Sequence, residues 1–334
     1  MINQAKDAHL TKKSILIKRG IIKEDAAENI LYQTYLPRGF TLNLCGHCTY
    51  KCSYCPQSLK SHPAEYIKPE IVQKVFNELG DAPVYVQMSS RGENLLHPKF
   101  FDFISLIKQK SALSYICLNT NAYIIDNEMM NKLLLSGIDH IVFSLQTINP
   151  QLYQTITGSR HYKKIIDRII AFVKKRKDVG SKTFLSVQYL GFEENLPYRD
   201  EFINFWKQYD IDMQFQMLHS WGNKFNAENM HDTGRYPCPY LWLYPTVTHT
   251  GKLTTCFADF YDEMAYGSLE NETLSSLWQS DRAKELREKH LRGKWDDISM
   301  CKDCCGFKAI DSGFERDHDG FKIKVGKGEK SENK

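Results

Sequence analysis

Residues 48–55 read Cys48-Thr49-Tyr50-Lys51-Cys52-Ser53-Tyr54-Cys55, a C-x3-C-x2-C loop closely following the apolar run Phe40–Leu44. Three thiolates on one loop can ligate three irons of a cubane cluster and leave the fourth iron open to a small ligand. Structural zinc usually takes a closed set of four ligands, commonly two C-x2-C-type pairs, and the three-residue gap fits it poorly. The loop stands where a first strand ends, and sites of parallel α/β sheets gather at such ends.

Outward from this loop, short apolar runs alternate with amphipathic stretches, the pattern of repeated βα units. The expected strands are Phe40–Leu44, Val84–Met88, Tyr115–Asn119, His140–Leu145, Thr183–Tyr189 and Met213–Leu218. Between them the sequence predicts helices over Pro69–Leu79, Pro98–Lys110, Asn127–Ser136, Lys163–Arg176 and Tyr198–Tyr209. Six strands with intervening helices predict an α/β fold, a partial (β/α)6 barrel over 39–222. After Trp221 the pattern changes to a hairpin-like Leu243–Cys256 and a helix over Thr273–Arg292, with Asn271 as its N-cap and Gly293 as its stop. A small second domain is therefore expected over 223–316, with an N-terminal extension over 1–38 and a flexible tail over 317–334.

The formal charge is +4, from 44 basic against 40 acidic residues, which gives no case for nucleic acid. No apolar run approaches the roughly 20 residues of a membrane helix, and the first residues are too polar for a secretory segment. A cytoplasmic protein is expected. Its ten cysteines are then metal-ligand candidates more readily than disulfides, a framework of short secreted chains.

Three more segments end strands. Ser89-Ser90-Arg91-Gly92-Glu93-Asn94 follows the second, Asn119-Thr120-Asn121 closes the third, and Ser144-Leu145-Gln146 closes the fourth. A second cysteine set comprises Cys238, then Cys256 in a C-x12-G-x4-C spacing through Gly251, then Cys301 and Cys304 as C-x2-C. Four thiolates suit a closed cubane or a tetrahedral zinc equally.

Together these segments resemble the radical SAM superfamily, whose signature is C-x3-C-x-aromatic-C after the first barrel strand, with Tyr54 at the aromatic position. The resemblance implies a [4Fe-4S] cluster on Cys48, Cys52 and Cys55. Its open iron chelates S-adenosyl-L-methionine (SAM), whose cleavage gives a 5′-deoxyadenosyl radical that takes hydrogen from a substrate. Gly92-Glu93 matches the family's G-G-E-P segment, which implies a carboxylate at the SAM ammonium, with Asn94 where proline is usual. Asn121 falls in the T-N-G segment, with Ala122 where glycine is usual. Ser144 and Gln146 fall where the SAM ribose is held, with glutamine in place of the usual acid.

The second cysteine set, with Gly267-Ser268-Leu269 before a Leu277-Trp278 helix, is similar to the SPASM/twitch auxiliary-cluster domain. Only Cys305 remains after Cys304, so the shorter twitch form, with one auxiliary [4Fe-4S] cluster, matches better. This region resembles the aminocyclitol dehydrogenase of aminoglycoside biosynthesis. The implied activity is hydrogen abstraction from a sugar or aminocyclitol carbon, followed by oxidation or epimerisation. Such a small-molecule substrate is expected in preference to a peptide, with flavodoxin or ferredoxin as external electron donor. A maturase of ribosomally made peptides is the alternative within this class, and a non-catalytic iron–sulfur electron carrier the alternative outside it.

Three cysteines are left unassigned. Cys117, inside the third strand, reads as a small buried thiol. Cys45 and Cys305 are better placed to meet substrate and are the candidate hydrogen donors for an epimerisation. His47 and His97 read as local hydrogen-bonding groups, and Trp221-Gly222-Asn223 as a cover for substrate or adenine.

Overall fold

A computed structural model of the chain describes residues 36–37, 39–225, 235–307, 314–317 and 320–323. The expected N-terminal extension lies outside these residues except for 36–37. In chain order the first part runs β1 (Gly39–Leu42), α1 (Pro69–Leu79), β2 (Tyr85–Met88), α2 (Phe100–Lys110), β3 (Tyr115–Thr120), α3 (Asn127–Leu135) and β4 (His140–Gln146). It continues with α4 (Pro150–Thr157), α5 (Tyr162–Asp178), β5 (Phe184–Gly191), α6 (Arg199–Trp206) and β6 (Asp212–Met217). Each strand from β1 to β6 pairs in parallel with the next. The sheet stays open, as the partial barrel predicted from the alternation.

The helices form because their apolar residues recur at helical spacing. In α1, with Pro69 at its first turn, Ile71, Val72, Val75, Phe76 and Leu79 all turn inward. They meet one face of the sheet, which carries Leu42, Val86, Leu118, Phe143 and Val187 in a single continuous core. Fully burying one such side chain is worth about 1.5–3 kcal/mol. The alternate positions face the other, concave side, where Tyr85, Cys117 and Val142 form a separate small cluster with Tyr115 and Tyr244 packed on it.

The C-terminal part holds α7 (Tyr240–Leu243), β7 (Thr246–Val247), β8 (Lys252–Thr254), β9 (Ala265–Ser268), α8 (Leu274–Trp278) and α9 (Asp281–Leu291). The expected hairpin is present, and it extends the barrel sheet: β7 pairs in parallel with β1, giving the order β6-β5-β4-β3-β2-β1-β7-β8-β9. The single helix expected over 273–292 is two. Ser280 caps the second by accepting from Ala283 N, which breaks the run. The first is capped by Thr273, whose side chain accepts from Ser276 N at 3.0 Å, in place of Asn271. Gly293, at φ 71°, ends α9 as its position suggested. Beyond, β10 (Phe314–Asp317) and β11 (Gly320–Ile323) pair antiparallel, so residues 317 and 320–323 of the expected tail are strand. Among the described residues no helix is long and apolar enough to cross a membrane.

Candidate active site

The cysteine loop is clamped from three sides. Gln57 donates to the Gly46 carbonyl at 2.8 Å and accepts from His62 N at 2.9 Å. From α4 the Ile156 carbonyl receives Ser53 N at 2.8 Å, and the Tyr153 hydroxyl meets that of Tyr50 at 3.0 Å. On the third side Glu93 N donates to the His47 carbonyl at 2.9 Å. Gly92, at φ 60°, is pressed against the Cys45 and His47 carbonyls, and a Cβ there would run into both. Only glycine serves at this point, for space and for backbone conformation alike.

Glu93 is 3% exposed, with one oxygen accepting from Asn121 N at 3.0 Å and Oε1 without a partner among the described residues. Burial pushes its carboxyl up to about 7. The Asn121 side chain donates to Thr49 Oγ1 at 3.0 Å and to Cys48 Sγ at 3.5 Å. Glu93, Asn121 and the cysteine loop are thus in direct contact. Asn94 replaces the usual proline and closes the turn differently: its Oδ1 accepts from Leu44 N at 2.7 Å, tying the loop to the exit of β1. Ala122 takes the φ of 59° where glycine is usual, with its N–H held by Thr120 Oγ1 at 3.0 Å.

The Cys48, Cys52 and Cys55 thiols are each pushed up to about 12, first by burial and further by another member of the set. Tyr54 stands among them, its hydroxyl raised well above the ordinary range by burial and by their proximity. Such thiols ionise when they gain a cation to bind, the condition an iron–sulfur cluster meets. The unpartnered carboxylate oxygen of Glu93 beside them fits an ammonium. Ser144 is half-buried on β4. Gln146, at φ 73°, follows a register shift in the β4–β5 pairing and donates to Gln188 Oε1 at 3.2 Å. Irregularities of this kind re-aim side chains near sites.

Cys238, Cys256, Cys301 and Cys304 line one small, mainly apolar cavity together with Phe257 and Tyr240. Burial raises all four thiols, Cys301 to about 12, and neighbouring cysteines raise each of them further. Among the described residues no three His, Cys, Asp or Glu side chains converge as a site for a metal ion. Four thiols around one cavity are a donor set for a closed [4Fe-4S] cube or a tetrahedral zinc alike.

Cys45 is fully buried, its Sγ 3.0 Å from His47 Nδ1 and 3.3 Å from the His47 carbonyl. Cys305 is also buried, with Sγ 3.7 Å from Ser220 Oγ. His97 is a local hydrogen-bonding group, 3.2 Å from the Ile67 carbonyl. Trp221 packs edge-on to Phe257 and Phe260, over the segment that follows Cys256. That segment also carries contacts the sequence reading missed. Ser90 donates to the Phe257 carbonyl at 2.9 Å, Tyr261 donates to the Pro56 carbonyl at 2.7 Å, and buried Arg91 pairs with Asp262 at 2.7 Å. These tie the Glu93 loop to the second cysteine set.

Residues 42–205 match the family model described as the radical SAM superfamily, and residues 238–305 match SPASM, an iron–sulfur cluster-binding domain. A probable GTP 3′,8-cyclase of Methanocaldococcus jannaschii is 30% identical over 163 residues, 48% of this chain and 51% of that protein. A GTP 3′,8-cyclase of Chlorobaculum tepidum is 21% identical over 194 residues, 57% of this chain and 54% of that one. The chain thus spans about half the length of these curated relatives. The crystal structure of BtrN with AdoMet and 2-DOIA aligns with a TM-score of 0.56 at 15% identity, over 81% of this chain and 93% of that one. Streptococcus suis SuiB bound to S-adenosylmethionine aligns with a TM-score of 0.58 at 15% identity, over 87% and 77%. Both share its fold. With one family model over the barrel and the other over the second cysteine set, the chain belongs to the radical SAM superfamily and carries a SPASM domain.

Proposed function

We propose that the chain is a twitch-type radical SAM enzyme that removes hydrogen from a carbon of a sugar or aminocyclitol and then oxidises or epimerises it. In this reading Cys48, Cys52 and Cys55 hold the SAM-binding [4Fe-4S] cluster, and Cys238, Cys256, Cys301 and Cys304 hold one auxiliary [4Fe-4S] cluster. When bound, SAM and its cluster supply a 5′-deoxyadenosyl radical. The chain's own part is to place it. Glu93 and Asn121 orient the ammonium end, while Ser144 and Gln146 stand at the ribose. The observation that carries the reading is the contact of Glu93 and Asn121 with the Cys48 loop, with one carboxylate oxygen left unpartnered. A pure electron carrier has no use for it. A flavodoxin- or ferredoxin-type protein is the proposed electron source.

The cyclases among the curated relatives give a second reading, cyclisation of a nucleoside triphosphate, favoured by 30% identity over the barrel half. Anaerobic reconstitution with SAM and a reductant tests the first step common to both. Formation of 5′-deoxyadenosine supports it, and its absence from protein with full iron content removes it.

A further inference from the structure

Parallel strands buried on both faces normally read as continuous apolar runs. In this sheet they alternate. On the face turned from the helices, one row of paired positions reads Thr246, Thr41, Gln87, Cys117 and His140 across five neighbouring strands. Nearer the strand ends stand Asn43, Asn119, Ser186 and Gln188. Below them the rings of Tyr85, Tyr115 and Tyr244 close the floor, with Tyr85 stacked on Tyr115 at 5.8 Å and edge-on to Tyr244 at 6.0 Å.

Many of these polar groups satisfy one another. Gln87 donates to Asn119, Gln146 to Gln188, and His140 lies 2.8 Å from Ser186 Oγ. Three of their oxygens have no partner among the described residues: Asn43 Oδ1 and Thr246 Oγ1, whose residues are completely buried, and Gln146 Oε1. A buried polar atom left unpaired bears the full cost of its desolvation, so such atoms mark a place where a ligand completes the bonding. Among the concave-face positions of β1 to β5 and β7 there is no Lys, Arg, Asp or Glu; the carboxylate on that face, Asp212 of β6, pairs with Ser186, at the far end of the strand order from Asn43 and Thr246. A phosphate group in so dry a place needs guanidinium or ammonium partners, and an ammonium needs a carboxylate. Glu93, at the rim, is the carboxylate assigned above to the SAM ammonium.

We infer that the concave face binds an uncharged polyhydroxylated molecule, a neutral sugar or cyclitol, and discriminates against nucleoside triphosphates and cationic aminocyclitols. Hydroxyl groups satisfy Asn43 Oδ1 and Thr246 Oγ1 without bringing a charge into the interior, and a ring lies against the tyrosine floor. This rests on the radical SAM reading of the same face of the sheet and narrows its substrate class.

The test is calorimetric titration of the full chain, reconstituted anaerobically and loaded with SAM, against myo-inositol, D-glucose, GTP and 2-deoxystreptamine. Saturable binding of a neutral polyol is expected, with GTP and 2-deoxystreptamine weaker. Thr246→Val, which keeps the shape and removes the unpaired hydroxyl, should bind the polyol about five- to tenfold more weakly. Its melting temperature should be unchanged or higher, because an unsatisfied polar atom has been replaced by an apolar one. Gln87→Leu, at a half-buried position, is the second variant and should also weaken binding. Failure of both polyols to bind saturably at millimolar concentration, tighter binding of either charged probe, or parental affinity in both variants overturns the inference. Formation of 5′-deoxyadenosine is read separately. Protein that cleaves SAM but ignores the polyols keeps the enzyme reading and loses this one, and protein that binds polyol without cleaving SAM does the reverse.

Discussion

Arg91 and Asp262 form an ion pair at 2.7 Å, with the arginine side chain fully buried and that of the aspartate 7% exposed. It joins the Glu93 loop to the segment following Cys256. The guanidinium also donates to the Asp259 carbonyl, while its Nε and Nη1 have no partner among the described residues. Removing one member of a buried pair leaves an uncompensated charge, at a typical loss of about 3–5 kcal/mol. Asp262→Ala should lose about that much in chemical denaturation, and the double change Arg91→Met with Asp262→Leu less than the sum of the singles. Strict additivity would show that the two residues act independently.

Glu93→Gln keeps the shape and removes the charge. A hydrogen bond to a charged group is worth roughly 1.5–3 kcal/mol, so SAM affinity should fall about 10- to 100-fold with iron content unchanged. Equilibrium dialysis with labelled SAM measures this directly. Parental affinity would take Glu93 out of the site.

The two cysteine sets predict about eight irons per chain after anaerobic reconstitution, four for each cluster. Cys301→Ala combined with Cys304→Ala should leave about four and retain SAM cleavage at the first cluster's site. A parent protein that holds about four irons and one zinc would refute the auxiliary cluster.

Much of this was legible because local rules and the fold agree. The β1–β6 strands and α1 follow from alternation and apolar periodicity, which tertiary packing reinforces. What escaped was of two kinds. Helix α4 had its signals in plain view, Asn149 capping Leu152 N ahead of Pro150 and Gly158 closing at φ 70°, but its eight residues are too short for a convincing period. The other kind is long-range. No local pattern says that β7 pairs with β1, that Arg91 reaches Asp262, or that Asn94 caps the exit of β1. The polar concave face lay in between, since Tyr85-Val86-Gln87-Met88 and Tyr115-Ile116-Cys117-Leu118-Asn119 alternate visibly. Reading such strands as two-sided runs hides it.

His140 is fully buried at 2.8 Å from Ser186 Oγ, and burial lowers it from 6.5 to about 4. A histidine held neutral in the folded chain contributes stability that is complete above its unfolded value and is lost as pH falls from 6.5 towards 4. The full difference is roughly 3 kcal/mol. His219, His249 and His290 are lowered by burial too, so the whole chain should lose more over the same window. Denaturation midpoints between pH 7 and pH 4 should fall less steeply for His140→Gln than for the parent. Equal slopes would mean that His140 is as easily protonated folded as unfolded.

The choice between oxidation and epimerisation turns on whether a thiol S–H faces the substrate radical. Epimerisation returns hydrogen to the opposite face of the carbon, whereas oxidation of the carbinol radical releases the hydroxyl proton, passes one electron to an acceptor such as the auxiliary cluster, and leaves a ketone. Cys45 and Cys305 are the donors proposed from sequence, one beside His47 and the other beside Ser220. Cys117 stands on the concave face itself, 3.6 Å from His140 Nδ1, and burial pushes its thiol up to about 12, so it stays in the S–H form that can donate hydrogen. None of the three belongs to either cysteine set. All three alanine variants should therefore keep about eight irons and form 5′-deoxyadenosine. If the parent product carries deuterium from solvent, geometry predicts that Cys117→Ala abolishes its incorporation while Cys45→Ala and Cys305→Ala retain it. Loss in Cys45→Ala or Cys305→Ala instead would restore the donor proposed from sequence. A parent product free of solvent deuterium assigns the reaction to oxidation, and mass spectrometry should then find a product two hydrogens lighter than the substrate.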